Sequence, residues 1–515
     1  MAGAGAQSRS FRLGQWQEIQ TAILEQLSRH YVDTLPVSAM RSAGIEAMLS
    51  VLDPYTVYIP EEDNEDLQMM LARTYGGIGA VIYKPEKSAY VTINEPYEGS
   101  PAARAGLVCG DEIMQIDGVD VRGLDASQCS ERMKGKPGTT VKFKVKRVRG
   151  GAVETIPVKR ERIHIPDMEY AGMLDGSDGY ILLSGFSENA SASVRNAVRQ
   201  LKDSGMKRLF LDLRGNGGGL LHEAVGIVSI FVPKGSLVVT QKGGSEPERE
   251  YRTTVEPVDT QMPVTVLIDG ASASSSEIVA GALQDMDRAV IAGRRSFGKG
   301  LVQSIFPLPY NGQLKVTTSK YYTPSGRCVQ AIDYSSRNAD GSTGHIPDSL
   351  THEFRTAGGR IVRDGGGITP DRELKGPDYS PVTISLVRRG IITDYVLKYV
   401  REHDSIAPED VFRFNDYDDF VKFCSGREFD WRSGAKAFFD KMKAELVKEG
   451  TDGRLKPQLD ALEDALSISK EDMLQLRKDE ILPYIEEEIA VRYYFQKAGV
   501  KVRLRYDSVL LQARG

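Results

Sequence analysis

Between residues 179 and 293 the chain alternates short, almost wholly apolar runs with amphipathic ones. GYILLSGF (179–186), RLFLDLRG (208–215), PVTVLID (263–269) and RAVIAG (288–293) read as strands. The intervening segments 191–204, 220–231 and 274–287 place apolar residues at helical spacing. Strands that are apolar on both faces and separated by helices belong in the middle of a layered α/β core, here expected over residues 164–378.

The pattern changes on either side. Residues 1–72 read as helical, with Ile19, Ile23, Leu24 and Leu27, then Met40, Ile45, Met48 and Leu49, at helical spacing. Leu52-Asp53-Pro54 ends the second helix, because proline disfavours helix in the residue before it. Residues 73–163 alternate strands with turns: GGIGAVIY (76–83), YVTINEPY (90–97), GDEIMQIDGVDV (110–121) and TTVKFKVKRVRG (139–150). Short helices are expected at Ser100-Pro101 and over 125–134, and Asp117-Gly118 signals a hairpin. Residues 379–515 are highly charged and helical, for example over 435–448 and 470–496, and carry no catalytic cluster. They read as a structural or oligomerising domain.

Composition removes several function classes. A net charge of −5 gives no general attraction to nucleic acid or anionic membrane. The basic stretch KFKVKRVR (142–149) alternates with apolar residues, as a strand with one solvated face does. Four scattered cysteines lack metal-ligand spacing, and the six histidines form no HExxH, so neither a metal nor another cofactor is expected. The opening MAGAGAQSRSFRLGQ lacks the apolar stretch of an export signal, and no run of 18 apolar residues occurs.

Three turns carry chemistry. DGASASSSE (269–277) follows an apolar strand and opens a helix, and Ser274 with Glu277 fits the S-x-x-E capping box. A serine there is a helix cap by default. The same place also suits a nucleophile, since the helix N-terminus offers free N–H groups and partial positive charge to an oxyanion. SFGKGLVQ (296–303) sets Lys299 between two glycines. In solvent it would be an ordinary ammonium; buried, its pKa would fall and the neutral amine could accept a proton from a serine hydroxyl. DLRGNGGG (212–219) joins a buried strand to a helix but lacks the G-K-[ST] of a phosphate loop, and an exposed N–H in it could serve as an oxyanion donor.

With the strand-and-turn segment before them, these stretches resemble the C-terminal processing peptidases, or tail-specific proteases. The matching text is LDLRGNGGGLL (211–221), SASSSEIVAGALQD (272–285), RRSFGKGLVQ (294–303), YYTPSGR (321–327) and GGGITPD (365–371), and the likeness covers about residues 40–375. The resemblance implies an α/β multidomain protein. Its layered peptidase core would be ClpP/crotonase-like, with an inserted PDZ domain and helical terminal regions.

The resemblance further implies that Ser274 is the nucleophile, Lys299 the general base, and Gln303, four residues on, the group that orients the lysine amine. The N–H groups of Ser275 and Gly218 become the oxyanion donors. Serine at 275, where the family usually has alanine, puts three serines in a row; Gly217 replaces a common proline. In the PDZ segment, the loop Gly76-Gly77-Ile78-Gly79 would offer the N–H groups of Gly77, Ile78 and Gly79 to a substrate's terminal carboxylate, while Arg147 could gate the site by contacting the core. The implied activity is a serine endopeptidase that recognises protein C-termini and cleaves tails or unfolded envelope proteins. The implied location is the periplasm or cell envelope, and the implied assembly a homodimer, with an envelope adaptor as a further partner.

Three other readings compete. One is a non-catalytic PDZ scaffold that binds chain ends. Another is an acyl-CoA enzyme on a crotonase-type core, which would have no use for Lys299. The third is a Ser–His triad using His222.

Overall fold

The computed structural model describes residues 8–64, 69, 73–85, 88–244, 246–337, 343–431 and 434–515. The opening MAGAGAQ therefore lies outside the described residues. The chain divides into two compact units, one of Met1–Asn64, Gln303–Thr318 and Tyr334–Ser342, the other of Glu65–Val302, Ser319–Asp333 and Thr343–Gly515.

The smaller unit opens with helices Arg9–His30 and Val37–Ser50. The second ends before Leu52-Asp53-Pro54, where the Asp53 carboxylate accepts the N–H groups of Tyr55 and Thr56 at 2.9 and 3.0 Å in an Asx turn. Strand Val57–Ile59 then pairs antiparallel with residues 313–315. Helix Arg9–His30 buries none of its residues.

The larger unit holds two six-stranded sheets. The first orders its strands Ala80–Tyr83, Val91–Pro96, Glu112–Ile116, Thr140–Lys146 and Val153–Lys159, with Val119–Asp120 beside Glu112–Ile116. Its core is Ile78, Val91, Ile93, Leu107, Ile113, Ile116, Val141, Phe143, Val145 and Val158. The expected helices form at Pro101–Arg104, capped by the Ser100 hydroxyl, and at Ala126–Met133, capped by Asp125. A two-stranded ribbon of Thr74–Gly77 and Glu161–His164 brings the entry and exit of this sheet together.

The second sheet runs Met168–Met173, Asp178–Leu183, Arg208–Asp212, Val264–Ile268, Val290–Gly293 and Arg372–Glu373. Its first pair is antiparallel and the rest parallel. The two-residue period of a strand explains the layering. Ile181, Leu183, Leu209, Leu211, Val264, Val266, Ile268 and Ile291 pack under helices Ala190–Asp203, Leu221–Val228 and Ser275–Asp285. Tyr180, Leu182, Phe210, Leu267 and Ala292 point the other way, against Val500, Leu504, Val509, Leu510 and Ala513 of the C-terminal helices. Each buried valine, leucine, isoleucine or phenylalanine among them stabilises the layers by about 1.5–3 kcal/mol.

The C-terminal region is helical, as expected, with its own core around Tyr395, Phe414, Phe420, Leu474 and Ile485. The helix expected over 470–496 is divided at Arg477 into Lys470–Leu476 and Lys478–Leu504, and the latter breaks again at Phe495, whose φ is 64°. Near that break Arg492 donates to Asn94 Oδ1 at 2.6 Å, tying the helical region to the first sheet.

Candidate active site

The three glycine- and serine-rich turns follow three adjacent parallel strands, Arg208–Asp212, Val264–Ile268 and Val290–Gly293. They therefore gather at the carboxyl ends of the sheet, the usual place for a site in a parallel α/β layer. Asp269 Oδ1 accepts the N–H groups of Gly215, Ala271 and Ser272 at 3.0–3.1 Å, and Ala273 N–H donates to Asn216 O at 3.0 Å. The glycine loop and the serine turn are thus one hydrogen-bonded piece.

The serines differ in what their hydroxyls do. Ser272 Oγ donates to Leu213 O (2.8 Å), Ser275 Oγ to Gly219 O (2.9 Å) and Ser276 Oγ to Asn216 O (2.8 Å), and all three residues are buried. Ser274 is half-buried and has φ 55° and ψ −114°. A non-glycine residue held there costs about 1–3 kcal/mol, and such strain gathers at functional turns.

Glu277 is fully buried and holds this turn to the lysine turn. Its Oε2 accepts the N–H of Ser274 and the N–H of Lys299, each at 2.8 Å. Its Oε1 accepts Gly298 N–H at 2.7 Å and the Ser296 hydroxyl at 2.6 Å. Burial pushes its pKa above the usual carboxylate range, against the pull of those four donors. The sequence showed Glu277 only as a helix cap. The box does form on its carboxylate side, but the same oxygen also reaches 22 residues along the chain.

Lys299 itself is half-buried, between two buried glycines. Gly298 has φ +87°, and a Cβ there would sit 2.3 Å from that of Ala331. Glycine lets this turn lie against the segment that precedes strand Ile332–Arg337, which puts Lys299 N–H within reach of Glu277.

Gly218 abuts the Ser274 turn. With φ +100°, a Cβ there would fall 2.8 Å from Ser274 Cβ and 2.9 Å from Ser275 N. Its N–H donates to Asn216 Oδ1 at 2.9 Å, while Asn216 Nδ2 donates to Leu183 O at 2.8 Å. Gln303 lies in the smaller unit, where its amide donates to Thr317 Oγ1 at 3.2 Å.

At the entry to the first sheet, Gly77 belongs to the ribbon strand Thr74–Gly77, paired with Glu161, so the expected glycine loop narrows to Ile78 and Gly79. The carbonyls of those two accept the N–H groups of Ala102 and Tyr97, each at 2.9 Å. Ala80–Tyr83, next in the chain, is an edge strand. Arg147, expected at the peptidase core, instead stays within its own domain. The buried Asp111 carboxylate takes its guanidinium at 2.9 Å, and Gly106 O accepts at 3.0 Å. Arg149 is the residue that reaches outward, to the carbonyls of His403 and Asp404 at 3.0 and 3.2 Å. His222 is exposed and lies 3.6 Å from Glu223 Oε1.

Among the described residues no group of three or more histidine, cysteine, aspartate or glutamate side chains could hold a metal ion, and no helix is long and apolar enough to cross a membrane.

The sequence model of peptidase family S41 matches residues 178–335, and that of a PDZ domain matches 92–147. A third, described as PDZ-protease, C-terminal helical domain, matches 382–515. A carboxy-terminal-processing protease of Bartonella bacilliformis is 34% identical over 314 residues, covering 60% of this chain and 71% of that protein. A carboxyl-terminal-processing protease of Picosynechococcus sp. is 37% identical over 286 residues, 55% of this chain and 68% of that one. Among solved structures, a photosystem II D1 C-terminal processing protease is 26% identical, covers 72% of this chain and 89% of its own, and has a TM-score of 0.39.

Fold and sequence together define a PDZ-bearing serine peptidase. The chain belongs to peptidase family S41, with the carboxy-terminal-processing proteases. The expected enzyme class is borne out, and the non-catalytic scaffold and the acyl-CoA enzyme are set aside.

Proposed function

We propose that Ser274 and Lys299 form the catalytic dyad of this protease. The observation that carries the reading is the division of labour among the serines: three neighbouring hydroxyls are committed to main-chain carbonyls, while Ser274 stands on a strained turn whose N–H shares one Glu277 oxygen with the N–H of Lys299. The Lys299 amine takes the Ser274 hydroxyl proton as the oxygen attacks the scissile carbonyl. It then gives that proton to the leaving amine and activates water for deacylation. Ser275 N–H, at the first turn of its helix, and Gly218 N–H hold the oxyanion, each worth about 3 kcal/mol. Gly218 N–H donates to Asn216 Oδ1 in this structure, so its part in the oxyanion hole requires that bond to open or to be shared.

The PDZ domain takes the substrate's C-terminus. Its carboxylate binds the N–H groups of Ile78 and Gly79, and its chain adds to the edge strand Ala80–Tyr83. The apolar residues Phe11, Trp16, Ile19, Ile23 and Leu24, all exposed on helix Arg9–His30, favour a homodimer through that helix. The family resemblance favours a periplasmic or envelope location and an envelope adaptor.

The test is cleavage of an unfolded protein with a free C-terminal tail. Ser274→Ala and Lys299→Ala are expected to abolish it and His222→Ala to leave it intact. Undiminished proteolysis by Lys299→Ala would remove the dyad.

A further inference from the structure

Tyr321 lies near the end of strand Gln313–Tyr322, in the larger unit. Its side chain is among the largest that are fully buried. Phenylalanine would fill that space without the cost of burying a hydroxyl, so the phenol oxygen calls for a reason. It has two main-chain neighbours: the carbonyl oxygen of Lys299 at 2.6 Å and that of Ser274 at 3.1 Å. The Tyr321 N–H donates to Gly300 O at 3.0 Å, so the residue grips the lysine turn at both its backbone and its tip.

A phenol has one proton to donate. The shorter contact marks Lys299 O as its principal acceptor. Ser274 O already accepts the N–H groups of Glu277 and Ile278, at 2.8 and 2.9 Å, and shares the phenol as a third, longer donor. Glu277 Oε2 bridges the N–H groups of the same two residues. Ser274 and Lys299 are therefore linked twice through their main chains, by an acceptor on one side and a donor on the other. Burial pushes the Tyr321 pKa well above its usual value, which keeps the donor protonated across the working range.

We propose that Tyr321 is a positioning residue, whose hydroxyl fixes the separation of the Ser274 and Lys299 main chains. The proposal rests on the Ser274–Lys299 dyad. An error of about 1 Å in the placement of reacting groups can lower a rate about a hundredfold, so loosening one of two links is expected to act on turnover rather than on substrate binding.

The experiment is steady-state cleavage of a tailed substrate by the full chain, with the rate of serine phosphonylation by a fluorophosphonate probe measured alongside. Tyr321→Phe is expected to lower kcat and the phosphonylation rate together by tenfold or more, with KM within twofold of the parent. The neighbouring Tyr322→Phe should leave both unchanged. Incorporating 3-fluorotyrosine at position 321 keeps the donor and the shape, and is expected to retain parental turnover. A Tyr321→Phe enzyme with parental kcat, or a 3-fluorotyrosine enzyme as slow as it, would overturn the proposal while Ser274→Ala and Lys299→Ala stay inactive. Full activity of Lys299→Ala would instead remove the dyad on which the proposal rests.

Discussion

Replacing Glu277 by glutamine keeps the shape of the side chain and changes only what its two ends can do. The carboxylate accepts four hydrogen bonds, from Ser274 N–H and Lys299 N–H on one oxygen and from Gly298 N–H and Ser296 Oγ on the other. An amide offers one accepting end. If its carbonyl faces Ser274 and Lys299, its NH2 group faces Gly298 N–H and the Ser296 hydroxyl. That hydroxyl can turn to accept, although it already accepts Ile368 N–H at 2.6 Å. Gly298 N–H cannot, and remains buried without a partner. The opposite orientation strands two N–H groups. An orphaned buried donor costs about 1–3 kcal/mol, so the first orientation wins and Glu277→Gln is expected to lose about that much. Glu277→Ala strands three N–H groups at once, about 3–9 kcal/mol, comparable to the whole stability of a domain. The glutamine variant should therefore fold with a lower melting temperature in calorimetry, and its kcat should fall while KM holds, because the orphaned group adjoins Lys299. The alanine variant should fail to accumulate as folded protein. A glutamine variant with parental melting temperature and kcat would show that the carboxylate does not hold the two turns together.

Gly218→Ala should reduce kcat by at least a hundredfold, since the new Cβ meets both Ser274 and Ser275 at a φ of +100°, whereas Gly217→Ala, with nothing within 4 Å, should keep most activity in the same peptide assay. Ser275→Ala loses one hydrogen bond to Gly219 O and should cost about 1 kcal/mol in unfolding while tail cleavage continues; its inactivity would shift the nucleophile assignment. Glu95, almost wholly buried where Arg492 and Gln496 meet the PDZ sheet, has its pKa raised by burial from 4.5 to about 7. Its contribution is fully present below pH 4.5 and is lost as pH rises through 7, a swing of about 3 kcal/mol at most. Melting temperature should accordingly fall from pH 5 to pH 8 in the parent, with a shallower slope in Glu95→Gln.

Much of the site could be read from text because its parts are local. The turns carrying Gly218, Ser274 and Lys299 are each a short run after an apolar strand, and three adjacent parallel strands deliver them to one edge. Less legible were features in which one residue serves two distant partners. Glu277 looked like a cap because its helical partner is three residues away, while its other partners, Ser296, Gly298 and Lys299, are separated from it by 19–22 residues. Arg147 looked free to reach outward because the sequence does not reveal that Asp111 is buried and needs a cation. The glycine run at 76–79 looked like one loop, since the pairing of Gly77 with Glu161 joins positions 84 residues apart.

By itself the sequence determined the layered order of the chain, since apolar periodicity and turn residues act over a few positions and set which segments are strands, helices and turns. Only the tertiary structure decided which of the clustered serines keeps its hydroxyl away from main-chain carbonyls, and that the last helices close the second face of the catalytic sheet. Those outcomes depend on hydrogen-bond partners and packing faces supplied by residues tens to hundreds of positions away, and no local pattern encodes them.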